Sequence, residues 1–156
     1  MTNRMTAPLL GPLPHVASQS GRHSCGAPVG IEREGQVRGD EERVVRAFCV
    51  WLRQHGWTVE REVKYTDVVA RRGDERLYAE AKGRTAAIGL DVDTLYGQLL
   101  RRMPNEAVGE ARFAVVVPEE AVAAALRVPD RVRELLQVSI FAVSADDAVR
   151  LVSGGT

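Results

Sequence analysis

From residue 40 onward apolar side chains recur with regular periods; before it they do not. Val45, Phe48 and Leu52 follow the acidic start Asp40-Glu41-Glu42 at helical spacing, which predicts a helix to about Gln54, stopped by Gly56. Glu41 stands one turn before Val45 on the same stripe. Residues 57–63 and 65–72 read as strands, and the turn chemistry of Arg72-Gly73-Asp74-Glu75 leads into a third strand over 76–82. After the Gly83-Arg84-Thr85 loop, Asp91 or Asp93 caps a helix to about Met103, with Val92, Leu95, Tyr96, Leu99 and Met103 as its buried stripe. Gln98, Arg101 and Arg102 border or oppose that stripe. The continuous apolar run Phe113-Ala114-Val115-Val116-Val117, ended by Pro118, predicts a central strand covered on both faces. Residues 119–136 read as helix interrupted at Pro129, and 139–143 as a further strand. The order αβββαβαβ predicts an α/β protein, one central mixed sheet flanked by helices.

At 156 residues the chain has room for one domain of ordinary size. Residues 1–38 are rich in Pro, Gly, Ser, Thr and Arg without a sustained period, too little burial to offset the entropy of ordering the backbone. The expectation is a flexible tail over 1–38 and a folded domain over 39–154. His15, His23 and Cys25 fall in that tail, and no second half of a zinc site follows at ligand spacing. Cys25 and Cys49 make no CxxC or disulfide framework, which fits a reducing, cytoplasmic setting. No apolar run approaches the roughly 18 to 20 residues of a membrane span, so no membrane partner is expected.

Lysine plus arginine and aspartate plus glutamate both number 21, which excludes the global basic excess of a histone-like or ribosomal protein. A nucleic-acid partner would be met by a local patch, for which Arg71, Arg72, Arg84, Arg101 and Arg102 are the candidates.

The chemistry concentrates in the segment from Thr66-Asp67-Val68-Val69 to Ala79-Glu80-Ala81-Lys82. A period of two puts Glu80 and Lys82 on one face of their strand, and antiparallel pairing with the preceding strand brings Asp67 beside Glu80. Two converging carboxylates repel each other unless a divalent cation lies between them. Magnesium, or manganese in its place, needs hard oxygen ligands and keeps several waters, so Asp67, Glu80, the carbonyl of Ala81 and phosphate oxygens suffice. Lys82 would then orient or deprotonate the attacking water. The blander alternatives are an edge-strand charge for Asp67 and a surface ion pair for Glu80 and Lys82.

Asp67, the Glu80-Ala81-Lys82 strand followed by Arg84, the leading helix ending His55-Gly56-Trp57 and the later helix with Gln98 together resemble the PD-(D/E)xK nuclease superfamily. The likeness spans roughly residues 41–143 and is nearest to the Mrr-like and Holliday-junction-resolvase-like branches. Thr66 stands where the name motif has proline, and Arg102 where the RecB-like branch has tyrosine four residues after the glutamine. The resemblance implies a restriction-endonuclease-like αβββαβ core with an extra C-terminal helix and strand, and a magnesium-dependent nuclease acting on DNA. It further implies that Glu41, or Glu42 in another register, completes the metal shell, and that Gln98 holds a phosphate or a water. A homodimer would supply two sites for two strands. The alternative is a module that keeps the fold and binds DNA or a protein without turnover.

Overall fold

The computed structural model describes residues 31–63, 65–84, 87–105 and 110–154, with the main chain alone for 31–39 and Glu110. The elements run α1 (Ile31–Gln54), β1 (Thr58–Val63), β2 (Thr66–Arg72), β3 (Glu75–Ala81), α2 (Ile88–Arg102) and β4 (Glu110–Pro118). A 3-10 turn (Glu119–Ala121), the short helices α3 (Val122–Ala125) and α4 (Asp130–Leu135), β5 (Val138–Val143) and β6 (Val149–Ser153) follow. The order through β4 is the expected αβββαβ core. His15, His23 and Cys25 lie outside the described residues.

Among the described residues six strands form one sheet in chain order. β1, β2 and β3 make an antiparallel meander, β3, β4 and β5 run parallel, and β6 turns back antiparallel on β5. The sheet is therefore mixed. One face carries Val68, Ala70, Leu77, Ala79, Ala81, Ala114, Val116 and Phe141 against the α1 stripe of Val44, Val45, Phe48 and Leu52. The other carries Val115, Val117 and Ile140 against Val92, Leu95, Tyr96 and Leu99 of α2 and against the small α3 residues. β4 is apolar throughout its middle because both faces are covered.

The helix stop at Gly56 is where the sequence predicts it. Gly56 adopts φ +81°, and the Gly56 and Trp57 N–H groups donate to the carbonyls of Arg53 and Leu52 at 3.1 and 3.0 Å. Only glycine enters that left-handed turn without a Cβ penalty.

Three expectations are corrected. α1 begins at Ile31, so residues 31–38, expected in the tail, are helical. Past Pro28 they include Glu, Arg and Gln and no proline, so an established helix extends through them at little cost despite Gly35 and Gly39. α2 starts at Ile88, which leaves Asp91 in the first turn, its N–H donating to Ala87, rather than at the cap. The third correction is β6, absent from the predicted elements, which follows a tight turn held by Ser144: its N–H meets the Ala148 carbonyl at 3.0 Å and its Oγ accepts from the Ala148 N–H at 3.1 Å. Among the described residues no helix is long and apolar enough to cross a membrane.

Candidate metal and nucleic-acid site

The pairing of β2 with β3 sets Val68 opposite Ala79. One step further along the same register places Asp67 opposite Glu80. Alternation sends Val68, Ala70, Leu77, Ala79 and Ala81 to the α1 face, which leaves Asp67 and Glu80 on the α2 face. Glu80 pairs with Val115 of β4, a member of the α2 core. It is 0% exposed, the one acidic residue among the buried groups of the described residues.

Glu80 Oε2 accepts a hydrogen bond from Arg102 Nη1 at the end of α2. Its Oε1 is buried and receives no N–H. Asp67 Oδ2 accepts from the Ala81 N–H at 2.9 Å. Ala81, expected at the site through its carbonyl, thus fixes Asp67 through its amide.

Both carboxyls hold their protons more tightly than ordinary ones. For Glu80, desolvation is the main cause; the Arg102 guanidinium opposes it, and neighbouring Asp67 adds to it through its charge and through a hydrogen bond between the two carboxyls, leaving the group pushed up to about 7. Asp67 is also raised, first by desolvation, against the pull of the Ala81 N–H, with Glu41 raising it and Arg102 and Lys82 lowering it. Asp67 therefore stands at the electrical centre of a group of five: Glu41, Asp67, Glu80, Lys82 and Arg102.

Lys82 follows the last residue of β3, and its ammonium pairs with Glu41 of α1 at 2.7 Å. Glu80 and Lys82, expected to act from one strand face, thus divide between two helices: Glu80 is held by α2 and Lys82 by α1. The loop after β3 is pressed onto α1. The Arg84 N–H donates to Asp40 Oδ2 at 2.7 Å, and a Cβ built on Gly83 would lie 2.3 Å from the Glu41 nitrogen. A residue with any side chain could not approach the helix so closely, so Gly83 is what lets Lys82 reach Glu41.

Glu41, expected as a further metal ligand, accepts a hydrogen bond from Lys82. Among the described residues no three histidine, cysteine, aspartate or glutamate side chains converge as a metal cage. The donors at the site are two carboxylates, Asp67 and Glu80. That set suits magnesium or manganese, which take hard oxygens and retain waters, and Oε1 of Glu80, which receives no N–H, could serve as a ligand.

A cleft of about 610 Å³ lined by Glu62, Tyr65, Thr66, Asp67 and Arg102 opens at this site. A smaller one of about 120 Å³, lined by Glu41, Glu42, Arg61 and Asp67 among others, adjoins it at Asp67. Tyr65 was not a sequence candidate. It sits at the β1–β2 turn, 86% exposed, with φ +71°, a conformation that L side chains enter at a cost. The readable signal is the tight connection between Val63 and Thr66 without a glycine or asparagine in it.

Of the expected nucleic-acid contacts, Gln98 is half-buried one turn before Arg102 on α2, and Arg101 is exposed. Arg102 is turned inward to Glu80, a role that its place beside the α2 stripe did not reveal. Arg84 pairs with Glu120, away from the cleft. Arg71 lies 4.0 Å from Glu60, and Arg72 is bonded to Glu75 and lies over the Trp57 ring at 4.5 Å. These two close the far end of β2 from Asp67, so the five arginines do not form one patch.

No family model and no curated protein matches the chain. Among solved structures it is similar to an XisH family protein from Nostoc punctiforme, with 19% identity and a TM-score of 0.48 over 71% of this chain and 99% of that one. It is also similar to an fdxN element excision controlling factor protein from Anabaena variabilis, with 15% identity and a TM-score of 0.44 over 72% and 99% of the two chains. Likeness of this extent carries nothing about what this chain binds.

Proposed function

We propose that the protein is a divalent-cation-dependent nuclease that hydrolyses DNA phosphodiester bonds at Asp67, Glu80 and Lys82. The observation that carries this reading is the apposition of two carboxylates on neighbouring strands at a cleft, one of them wholly buried with an oxygen that receives no N–H. Burying a carboxylate beside a second one is costly and does nothing for the fold. Such an arrangement makes sense where a cation is taken up.

A bound magnesium ion would lower the charge that builds on the phosphate oxygens. The chain's own residues do the rest. Asp67, fixed by the Ala81 N–H, and Glu80, fixed by its burial, hold donor oxygens in place with little reorganisation. Lys82, anchored by Glu41, brings an ammonium to the edge of the site, where its N–H donors orient the attacking water and the phosphate oxygens. Gln98 and Arg101 lie on the flank of α2 from which a phosphate backbone would be held. Tyr65 offers an exposed ring at the cleft for a base to stack on.

The test is cleavage of supercoiled and linear DNA in magnesium or manganese by the wild type, Asp67→Asn and Lys82→Met. The reading predicts nicking or cutting by the wild type alone, abolished by EDTA, with both variants inactive. Binding without cutting in either metal would overturn it.

A second reading has its own observation. Glu80 already has a counter-charge in Arg102, and Lys82 already has one in Glu41, so the charges are paired without any ion. A module that binds nucleic acid or a protein partner without turnover would look like this, and the same assay separates the two.

A further inference from the structure

We propose that Arg102 is a resident counter-ion for Glu80 which a divalent cation must displace, so that this one side chain sets the ion affinity of the site. The proposal rests on the nuclease reading only in taking Asp67 and Glu80 as the cation's ligands.

A carboxylate with no exposed surface cannot stay charged without compensation, and within the structure the compensation is the Arg102 guanidinium on Oε2 of Glu80. Only one of the two oxygens meets a cationic donor; Oε1 receives no N–H, and its carboxyl lies within hydrogen-bond reach of Asp67. The backbone does not help Glu80 as Ala81 helps Asp67.

The position of Arg102 fits an exchangeable group. It is the last residue of α2, its side chain is 25% exposed while that of Glu80 is 1% exposed, and it lines the same cleft as Asp67. Its guanidinium can leave Glu80 for solvent without unfolding anything. A divalent ion between Asp67 and Glu80 would stand a few ångströms from that guanidinium, and like charges at that range repel strongly in a partly desolvated site. The ion and the inward-turned arginine therefore exclude each other. Arginine cannot step aside by losing its proton, so the exchange must be a movement of the side chain.

The experiment is calorimetric titration of the wild type, Arg102→Gln and Arg102→Lys with Mn2+ at fixed salt and pH, alongside thermal denaturation with and without the ion. Arg102→Gln should bind Mn2+ about tenfold tighter or more, and its melting temperature should be low without the ion and respond to it more than the wild type's. Arg102→Lys, which keeps the positive charge, should stay near the wild-type affinity; this arm distinguishes charge competition from a loosened helix end. If Arg102→Gln proves too unstable to titrate at ambient temperature, the same comparison at low temperature with Arg102→Met serves. Equal Mn2+ affinity in the wild type and the neutral variants would overturn the exchange while leaving the cation site standing. No Mn2+ binding by any of them would overturn the exchange and the nuclease reading together.

Discussion

Replacing Glu80 with glutamine removes a charge from the middle of the protein while keeping the shape of the side chain, and its effect on stability should depend on pH. In the fold Glu80 is pushed from its ordinary 4.5 up to about 7, with desolvation as the main cause. Below pH 4.5 the group is protonated in both folded and unfolded chains and contributes nothing. Between 4.5 and about 7 the fold keeps a proton that the unfolded chain has lost, so stability falls as pH rises. Above about 7 the penalty is complete and amounts to about 3 kcal/mol, a large share of the 5 to 15 kcal/mol that typically holds a domain together. Asp67 adjoins Glu80, so the linkage belongs to the pair.

Glutamine has no such titration. Urea unfolding in EDTA should therefore show Glu80→Gln gaining on the wild type by about 3 kcal/mol between pH 4.5 and pH 8. Magnesium at pH 8 should then restore the wild type and leave the variant unmoved. A difference that stays flat across that range would mean that Arg102 compensates Glu80 fully. A difference that runs the other way would mean that the ion pair outweighs the desolvation, and the reasoning from burial would be refuted.

Two further perturbations probe the surroundings of the site. Gly83→Ala sets a methyl group 2.3 Å from the Glu41 nitrogen and 2.8 Å from the Asp40 carbonyl carbon and the Glu41 Cα; a helix backbone cannot yield, so unfolding measurements should show a loss of about 3 kcal/mol, and a neutral result would mean that the loop does not seat on α1. Tyr65→Asn suits the left-handed φ at that position and should stabilise the fold by up to about 1 kcal/mol, while a binding titration with single-stranded oligonucleotide should show a loss of about 1 to 3 kcal/mol if the ring stacks on a base; unchanged affinity would remove Tyr65 from the interface.

Much of the fold was legible because its elements carry strong local signals. Val45, Phe48 and Leu52 before Gly56, the alternation of Leu77, Ala79 and Ala81 with Tyr78 and Glu80, and the unbroken run at Val115 to Val117 each have a single structural solution. The facing of Asp67 and Glu80 was equally readable, since a short turn between two strands fixes their register. Pairings across distant segments were not. Nothing local to Arg102 says that it turns inward, because that depends on α2 crossing above β3, and nothing in Glu80-Ala81-Lys82 says that the lysine leaves the glutamate for Glu41 of α1. β6 was missed because five residues with an arginine among them give too short an alternation to stand out. Gly83 looked like a loop residue; its importance appears only when the α1 backbone is found against it.

A crystal structure in manganese tests most directly whether Asp67 and Glu80 form a cation site. Anomalous difference density should show one ion between the two carboxylates, in contact with the Glu80 oxygen that receives no N–H here, with Arg102 swung out into the cleft. Crystals soaked in manganese that show no ion at this position, and Arg102 still bonded to Glu80, would contradict it.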